Sequence, residues 1–361
     1  MDRSTESVPP IPEPLAPDPS FRPPRRLALS GALGTGLGLA LPPARAQTAD
    51  IAALAAAAQK EGTIAFYSAS VGVPDYVAVI RNFEKRYGIQ VNVLEARASE
   101  INERIRTELA TGRPSADIIY TGEATMATMK RAGMLDPLPP LPLAGKLEAP
   151  FAVDSHYAPV QVNSYGLLIN TALVSAADAP KSWRDVLDPK WRGRILADDP
   201  RALGGGNVAA SVLYETFGRS YHEQLAAQKP QFAREQRQSQ RRIARGEFPL
   251  YLPFTMTDIL RLTGLPVRAI SPVEGNPYVV FSLGIVKGAR RSNAAQLLIN
   301  HFFDAESSRE YFKNGKAVTV PASKDGLSPE LRALVDVKLL GKQDAAKTPE
   351  YLALFKEIYG S

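Results

Sequence analysis

Thr63-Ile64-Ala65-Phe66-Tyr67 runs straight into Ser68-Ala69-Ser70-Val71-Gly72 and then, from Pro74, into a segment in which Val73, Val77, Ile80, Phe83 and Tyr87 recur at helical spacing. The apolar run is a strand and the small polar residues are a turn. Pro74 has the fixed φ that suits a first helical turn, and Gly88 closes the helix. Gln90-Val91-Asn92-Val93-Leu94 follows at once as a second strand. A crossover this short forces the two strands parallel and sets a doubly wound α/β architecture. In open α/β sheets the ligand sits beyond the carboxyl ends of the strands, which puts Ser68 and Ser70 forward as ligand contacts; the competing reading is a plain turn.

The 361 residues hold one large or two ordinary domains with ample core. A formal charge of +6 is spread along the chain, and its local excess from Arg234 to Arg245 reads as a solvated helix face. No basic run interleaves with aromatics at a module spacing, so nucleic acid is not an expected partner. Cysteine is absent, which excludes thiolate zinc sites, thiol catalysis, disulfides and a lipid-modified N-terminal Cys. The three histidines, His156, His222 and His301, stand alone without metal-ligand spacing. Neither a metal nor a cofactor is expected.

Residues 1 to 20 are rich in proline and acid, without periodicity, and read as disordered. Arg25-Arg26 then precede an apolar, glycine-rich run from Leu27 to Leu41 that ends in Ala44-Arg45-Ala46. That is a basic region, an apolar region too short to span a membrane stably, and an Ala-x-Ala site, so residues 1 to 46 read as an export signal cleaved after Ala46. The paired arginines resemble a twin-arginine signal, although Ala28 stands where a bulky aromatic is usual; a Sec signal is the alternative. The mature chain is then periplasmic and mildly basic, which weakly favours anionic ligands.

Further along, a helix of Ile51 to Lys60 precedes the opening strand, and Ser99 caps a helix carrying Ile101, Ile105 and Leu109. Asp117 to Tyr120 is a buried strand whose exit, Thr121-Gly122-Glu123, faces the same crevice as Ser68 and Ser70. Ala158 to Asn170 alternates as a long strand leaving a first lobe. A second lobe holds a strand at 194–197, a loop at 198–207, a helix at 208–217, a polar helix through 219–244 and a strand at 248–252. Strands at 267–270 and 279–286 return to lobe one, and the tail from Pro329 to Tyr359 reads as helical across lobe two. Lobe one is assigned 47–160 plus 277–325, and lobe two 161–276 plus 326–361.

Ser115-Ala116-Asp117-Ile118, the run from Trp183 to Gly193, Ala244-Arg245-Gly246-Glu247, Pro272-Val273-Glu274-Gly275 and Gly284-Ile285-Val286-Lys287-Gly288-Ala289 occur in order along nearly all of the mature chain. Together they resemble the periplasmic solute-binding proteins of ABC importers, in the extracellular family 1 group of ferric, polyamine, thiamine and phosphonate binders. The resemblance implies a two-lobed class II binding-protein fold that closes by a hinge and docks on a permease. It also implies, for ferric-binding members, two adjacent tyrosines, a His and a Glu as iron ligands. Here Met256-Thr257 follow Tyr251-Leu252-Pro253-Phe254-Thr255 where the tyrosines should fall, Ser70 stands at the His position, and Gly122 stands at the Glu position with Glu123 beside it. Ferric ion wants anionic oxygen ligands, so this departure removes most of such a site.

The expected ligand set is Ser68, Ser70 and Thr121, the loop Gly205, Gly206 and Asn207, then Thr255, Thr257 and Asp258, with Arg97, Tyr165 and Tyr278 as walls. Backbone N–H groups of the glycine loop, ahead of a helix, can meet an anion, and Asp258 can meet an amine. For Arg97 and Asp258 a surface ion pair or helix cap competes with ligand contact, and for Tyr278 sheet packing does. The function expected is capture of a small polar, anionic or zwitterionic solute by a monomer, without catalysis, for delivery to an ABC permease. A ferric carrier is the alternative. An exported α/β hydrolase is a third reading, against which stands the absence of any G-x-S-x-G elbow.

Overall fold

The structure is a computed structural model that describes residues 43–70, 76–320 and 323–360. The export segment up to residue 42, and the expected helix start at Pro74, lie outside the described residues. In chain order the elements are α1 (Pro43–Gln59), β1 (Ile64–Ser68), α2 (Val77–Tyr87), β2 (Val91–Glu95), α3 (Ala98–Ala110), β3 (Ile118–Gly122), α4 (Glu123–Arg131), β4 (Leu135–Asp136) and β5 (Tyr157–Asn170). Then come β6 (Ile195–Asp198), α5 (Gly205–Phe217), α6 (Arg219–Ala227), β7 (Gln231–Ala233), α7 (Gln236–Ala244), β8 (Leu250–Thr255), β9 (Val267–Ile270) and β10 (Asn276–Val286). The chain continues through α8 (Ser292–His301), α9 (Ala305–Lys313), β11 (Ala317–Val318), α10 (Pro329–Val335), β12 (Leu339–Gly341) and α11 (Thr348–Tyr359).

The opening βαβ unit forms as its pattern predicts. β1 pairs in parallel with β2 on one side, from Ile64 with Val91 to Ser68 with Glu95, and with β3 on the other. Between them, Val79, Ile80 and Phe83 bury one stripe of α2, and Gly88 ends it in the left-handed region at φ 69° with its N–H on the Glu84 carbonyl at 2.8 Å.

The strand order is β2-β1-β3-β10-β5-β8-β6-β7, and β5 is the strand that joins two lobes. Its first part pairs antiparallel with β10 as far as Ser164, and its second part, from Tyr165, pairs antiparallel with β8 and β9. β6 and β8 run parallel, as β1 and β3 do, so each lobe holds a parallel strand pair of its own.

Each lobe has its own aromatic core. In the first, Phe66, Phe83, Tyr120, Phe302 and Tyr311 are buried together; in the second, Trp183 and Trp191 are buried with Leu167, Ile195, Leu213 and Leu250. Both indoles are satisfied, Trp183 Nε1 donating to the Gly275 carbonyl at 2.8 Å and Trp191 Nε1 to the Asp185 carbonyl at 3.0 Å.

Four sequence expectations are corrected. The polar segment 219–244 is two helices with β7 between them, because Lys229 takes a left-handed φ of 52° and Pro230 follows it. Ser99 is not a cap: α3 starts at Ala98 and Arg97 holds the cap position. The loop expected over 198–207 ends early, with α5 beginning at Gly205. The tail is not one helix: α10 stops at Val335, and β12 runs in parallel beside β10 before α11 begins.

Candidate functional site

β1 and β3 deliver Ser68 and Thr121 to the top of lobe one. Ser68 is fully buried, and its Oγ accepts the Ser70 N–H at 3.1 Å, an ST-turn that shapes the loop. Thr121 is buried opposite Ser282 on β10, and neither hydroxyl has a hydrogen-bond partner among the described residues. Arg97 is exposed at the N-terminus of α3, its amide N–H on Glu100 Oε2 at 3.3 Å.

Lobe two brings Gly206 and Thr255 into a polar cluster around Asp198, a residue the sequence reading does not single out, with Tyr165 close by. The Asp198 carboxylate accepts the Gly206 N–H at 2.9 Å and Gln236 Nε2 at 2.8 Å, and Gln236 Oε1 in turn accepts the Thr255 hydroxyl at 3.3 Å. An internal carboxylate therefore already sits on the N-terminus of α5, the place expected for a ligand anion. Burial raises the Asp198 pKa against the lowering pull of those donors. Gly206 is required here: a Cβ would lie 2.7 Å from the Asp198 carbonyl oxygen and 2.9 Å from that of Asp199.

Tyr165 lies against the same loop, where a Cβ on Gly205 would approach its Cε1 to 3.0 Å. Burial raises its phenol, with the Asp198 and Asp258 charges adding to the effect, so Tyr165 stays neutral. Asp258 accepts from Gln240 Nε2 and from Arg261, each at 2.6 Å, and Thr257 Oγ1 is buried without a partner among the described residues. Asn207 is committed to structure at both ends, donating to the Pro200 carbonyl at 2.8 Å and accepting from Gln343 Nε2 at 2.7 Å.

Between the lobes lies a cavity of about 450 Å³. Its floor is β10 at Tyr278, Val279 and Val280, one wall is the turn from Gly122 into α4, and the other is Val208 on α5 with residues 342–346. Of the expected site residues Tyr278 lines this cavity and Thr121 and Asn207 are next to lining residues, while Ser68, Ser70, Arg97, Tyr165, Gly205, Gly206, Thr255, Thr257 and Asp258 do not line it. Lining residues outside the expected set are Lys342 and Gln343, together with Glu123, which the sequence places at the crevice without assigning it to the ligand. Lys342 Nζ reaches both Glu123 carboxylate oxygens at 2.7 Å while Gln343 holds Asn207, so the strap after β12 ties the start of α4 to the start of α5. The signal for the strap is Gly341 and Asp344, poor helix formers inside a supposed helix.

The family described as bacterial extracellular solute-binding protein matches residues 113–348. An uncharacterised protein of Haemophilus influenzae is 21% identical over 281 residues, 74% of this chain and 80% of that protein. A putative 2-aminoethylphosphonate-binding periplasmic protein of Salmonella typhimurium is 23% identical over 244 residues, 62% of this chain and 68% of the relative. Iron-bound HitA of Pseudomonas aeruginosa shares the fold with a TM-score of 0.65 at 19% identity, over 82% of this chain and 99% of HitA.

Proposed function

Because this chain belongs to the bacterial extracellular solute-binding protein family, we propose that it is the capture subunit of an ABC importer, holding a small anionic or zwitterionic organic solute between its lobes and handing it unchanged to a permease. The observation that carries this reading is the interlobe cavity, whose walls come from lobe one, lobe two and the strap. About 450 Å³ suits a small solute. Lobe one is taken as 47–160 plus 277–325 and lobe two as 161–276 plus 326–361, with β5 and β10 as the hinge. Tyr278 is taken to touch the ligand from the cavity floor, with Thr121 and Asn207 beside lining residues; Ser68 and Ser70 shape the loop after β1, and the Asp198 cluster with Tyr165, Gly205, Gly206, Thr255, Thr257 and Asp258 lies off the cavity lining. The protein acts as a monomer in the periplasm after cleavage behind Ala46.

HitA is iron-bound, but in this chain Met256-Thr257 follow β8. A thioether and a neutral hydroxyl are poor ligands for a hard trivalent cation. The organic solute is therefore the reading preferred. A thermal-shift screen of organic acids, aminophosphonates, sugar phosphates and ferric citrate tests it, since a ligand that binds the folded state raises Tm. A shift with organic solutes and a smaller radius of gyration in solution scattering are expected. A shift with ferric salts alone, accompanied by a visible charge-transfer band, overturns the organic reading, and turnover of an ester overturns capture.

A further inference from the structure

We propose that the interlobe cavity takes a short zwitterion with an amide bond between its charged ends, in the simplest case a dipeptide, and that β10 reads the amide as a strand edge. The inference rests on the capture reading above and names the ligand class for the same cavity. β3 pairs with β10 only from Phe281 to Ile285, and β12 pairs with it only at Asn276 and Pro277. On that edge residues 278–280 have no strand beside them among the described residues, whereas the opposite edge is paired with β5 throughout.

The direction of the free edge follows from its two flanks. Asn276 N–H donates to the Lys338 carbonyl at 2.8 Å and Val286 N–H to the Asp117 carbonyl at 3.0 Å, both across this edge. Backbone groups alternate between the edges of a strand with period two, so Tyr278 and Val280 turn their N–H and C=O the same way. These residues are the cavity floor. Backbone donors and acceptors in such a place call for partners, and an extended segment laid along the edge supplies them. Three residues of strand span about 10 Å, which accommodates the roughly 7 Å of an extended dipeptide.

The ends of the ligand are provided for as well. Glu123 and Lys342 line the cavity from opposite walls and pair with each other, with side chains 26% and 49% exposed. A pair so accessible to water is easily exchanged, so a ligand ammonium can take Glu123 and a ligand carboxylate Lys342. Ala124, Ala127 and Val208 leave room between these ends for small apolar side chains.

The test is calorimetric titration of the full chain with Ala-Ala, Gly-Leu and Ala-Glu, with the ester analogue of any dipeptide that binds, and with 2-aminoethylphosphonate, which has charged ends and no amide. A dipeptide is expected to bind, its ester analogue to bind about tenfold more weakly for want of one N–H donor, and the aminophosphonate to bind more weakly than the dipeptide. Lys342→Ala is expected to weaken the dipeptide about tenfold with Tm unchanged. Equal affinity for amide and ester overturns the strand-edge reading, as does binding of the aminophosphonate with no dipeptide bound; either result leaves solute capture standing. If nothing binds and scattering never changes, the capture reading itself falls.

Discussion

His222 should make the second lobe acid-labile in a way a single substitution can remove. It sits on α6 under α11, 1% exposed, with Nδ1 at 2.7 Å from the Tyr359 hydroxyl and its ring against Tyr221 and Phe355. Nε2 has no partner among the described residues. Burial pushes its pKa down from 6.5 to about 4, so the fold holds the neutral ring. The sign follows: the stability is fully present above about 6.5 and is lost as pH falls towards 4, because the unfolded chain takes up the proton first. That shift is worth about 2 kcal/mol at pH 5 and about 3 kcal/mol below pH 4. His301, packed against Phe83 and Tyr87, is pushed down to about 4 for the same reason and adds a similar amount. Urea denaturation should therefore show the wild type losing about 4 kcal/mol between pH 7 and pH 5, and His222→Phe losing about 2 kcal/mol after a constant cost of about 1 kcal/mol for the Tyr359 hydrogen bond. Carboxylates held below their ordinary range, such as Asp199, titrate at lower pH and cancel in the comparison. Parallel pH profiles for the two proteins would mean that His222 does not carry the acid lability.

Three further substitutions probe the framework. Gly206→Ala puts a methyl 2.7 Å from a backbone oxygen and should cost about 1–3 kcal/mol by thermal denaturation, whereas Gly145→Ala, with nothing within 4 Å, should leave Tm near that of the wild type. Trp183→Ala empties a fully buried indole site and frees the Gly275 carbonyl; chemical denaturation should show a loss of about 3–5 kcal/mol. Asp117→Ala removes the acceptor of the Ala65 N–H at 2.8 Å and the partner of Arg291 at 3.2 Å, and a loss of about 2 kcal/mol with faster amide exchange at Ala65 is the outcome to look for.

The first βαβ unit is legible because its information is local: two apolar strands, one helical stripe and Gly88 lie within 32 residues of one another. The long strand through Tyr165 is legible for the same reason, its alternation surviving the change of partner from β10 to β8. The break at Lys229 is signalled by Pro230, but the charge run on either side hides it by looking like one continuous solvated face. The site is harder to see. Asp198 reads as a strand end until the fold sets the α5 amide on its carboxylate. Glu123 and Lys342 are 219 residues apart, and no pattern in either segment announces the other. The cavity floor is a gap between two neighbours of β10, and a gap of that kind exists only in the assembled sheet.

The nest around His222 is completed from far downstream, since Tyr359 follows it by 137 residues. On a ribosome adding about 5–20 residues per second, the face of α6 stays uncovered for roughly 7–30 s before Phe355 and Tyr359 emerge. During that interval the half-built second lobe shows the solvent an aromatic face that the finished fold hides.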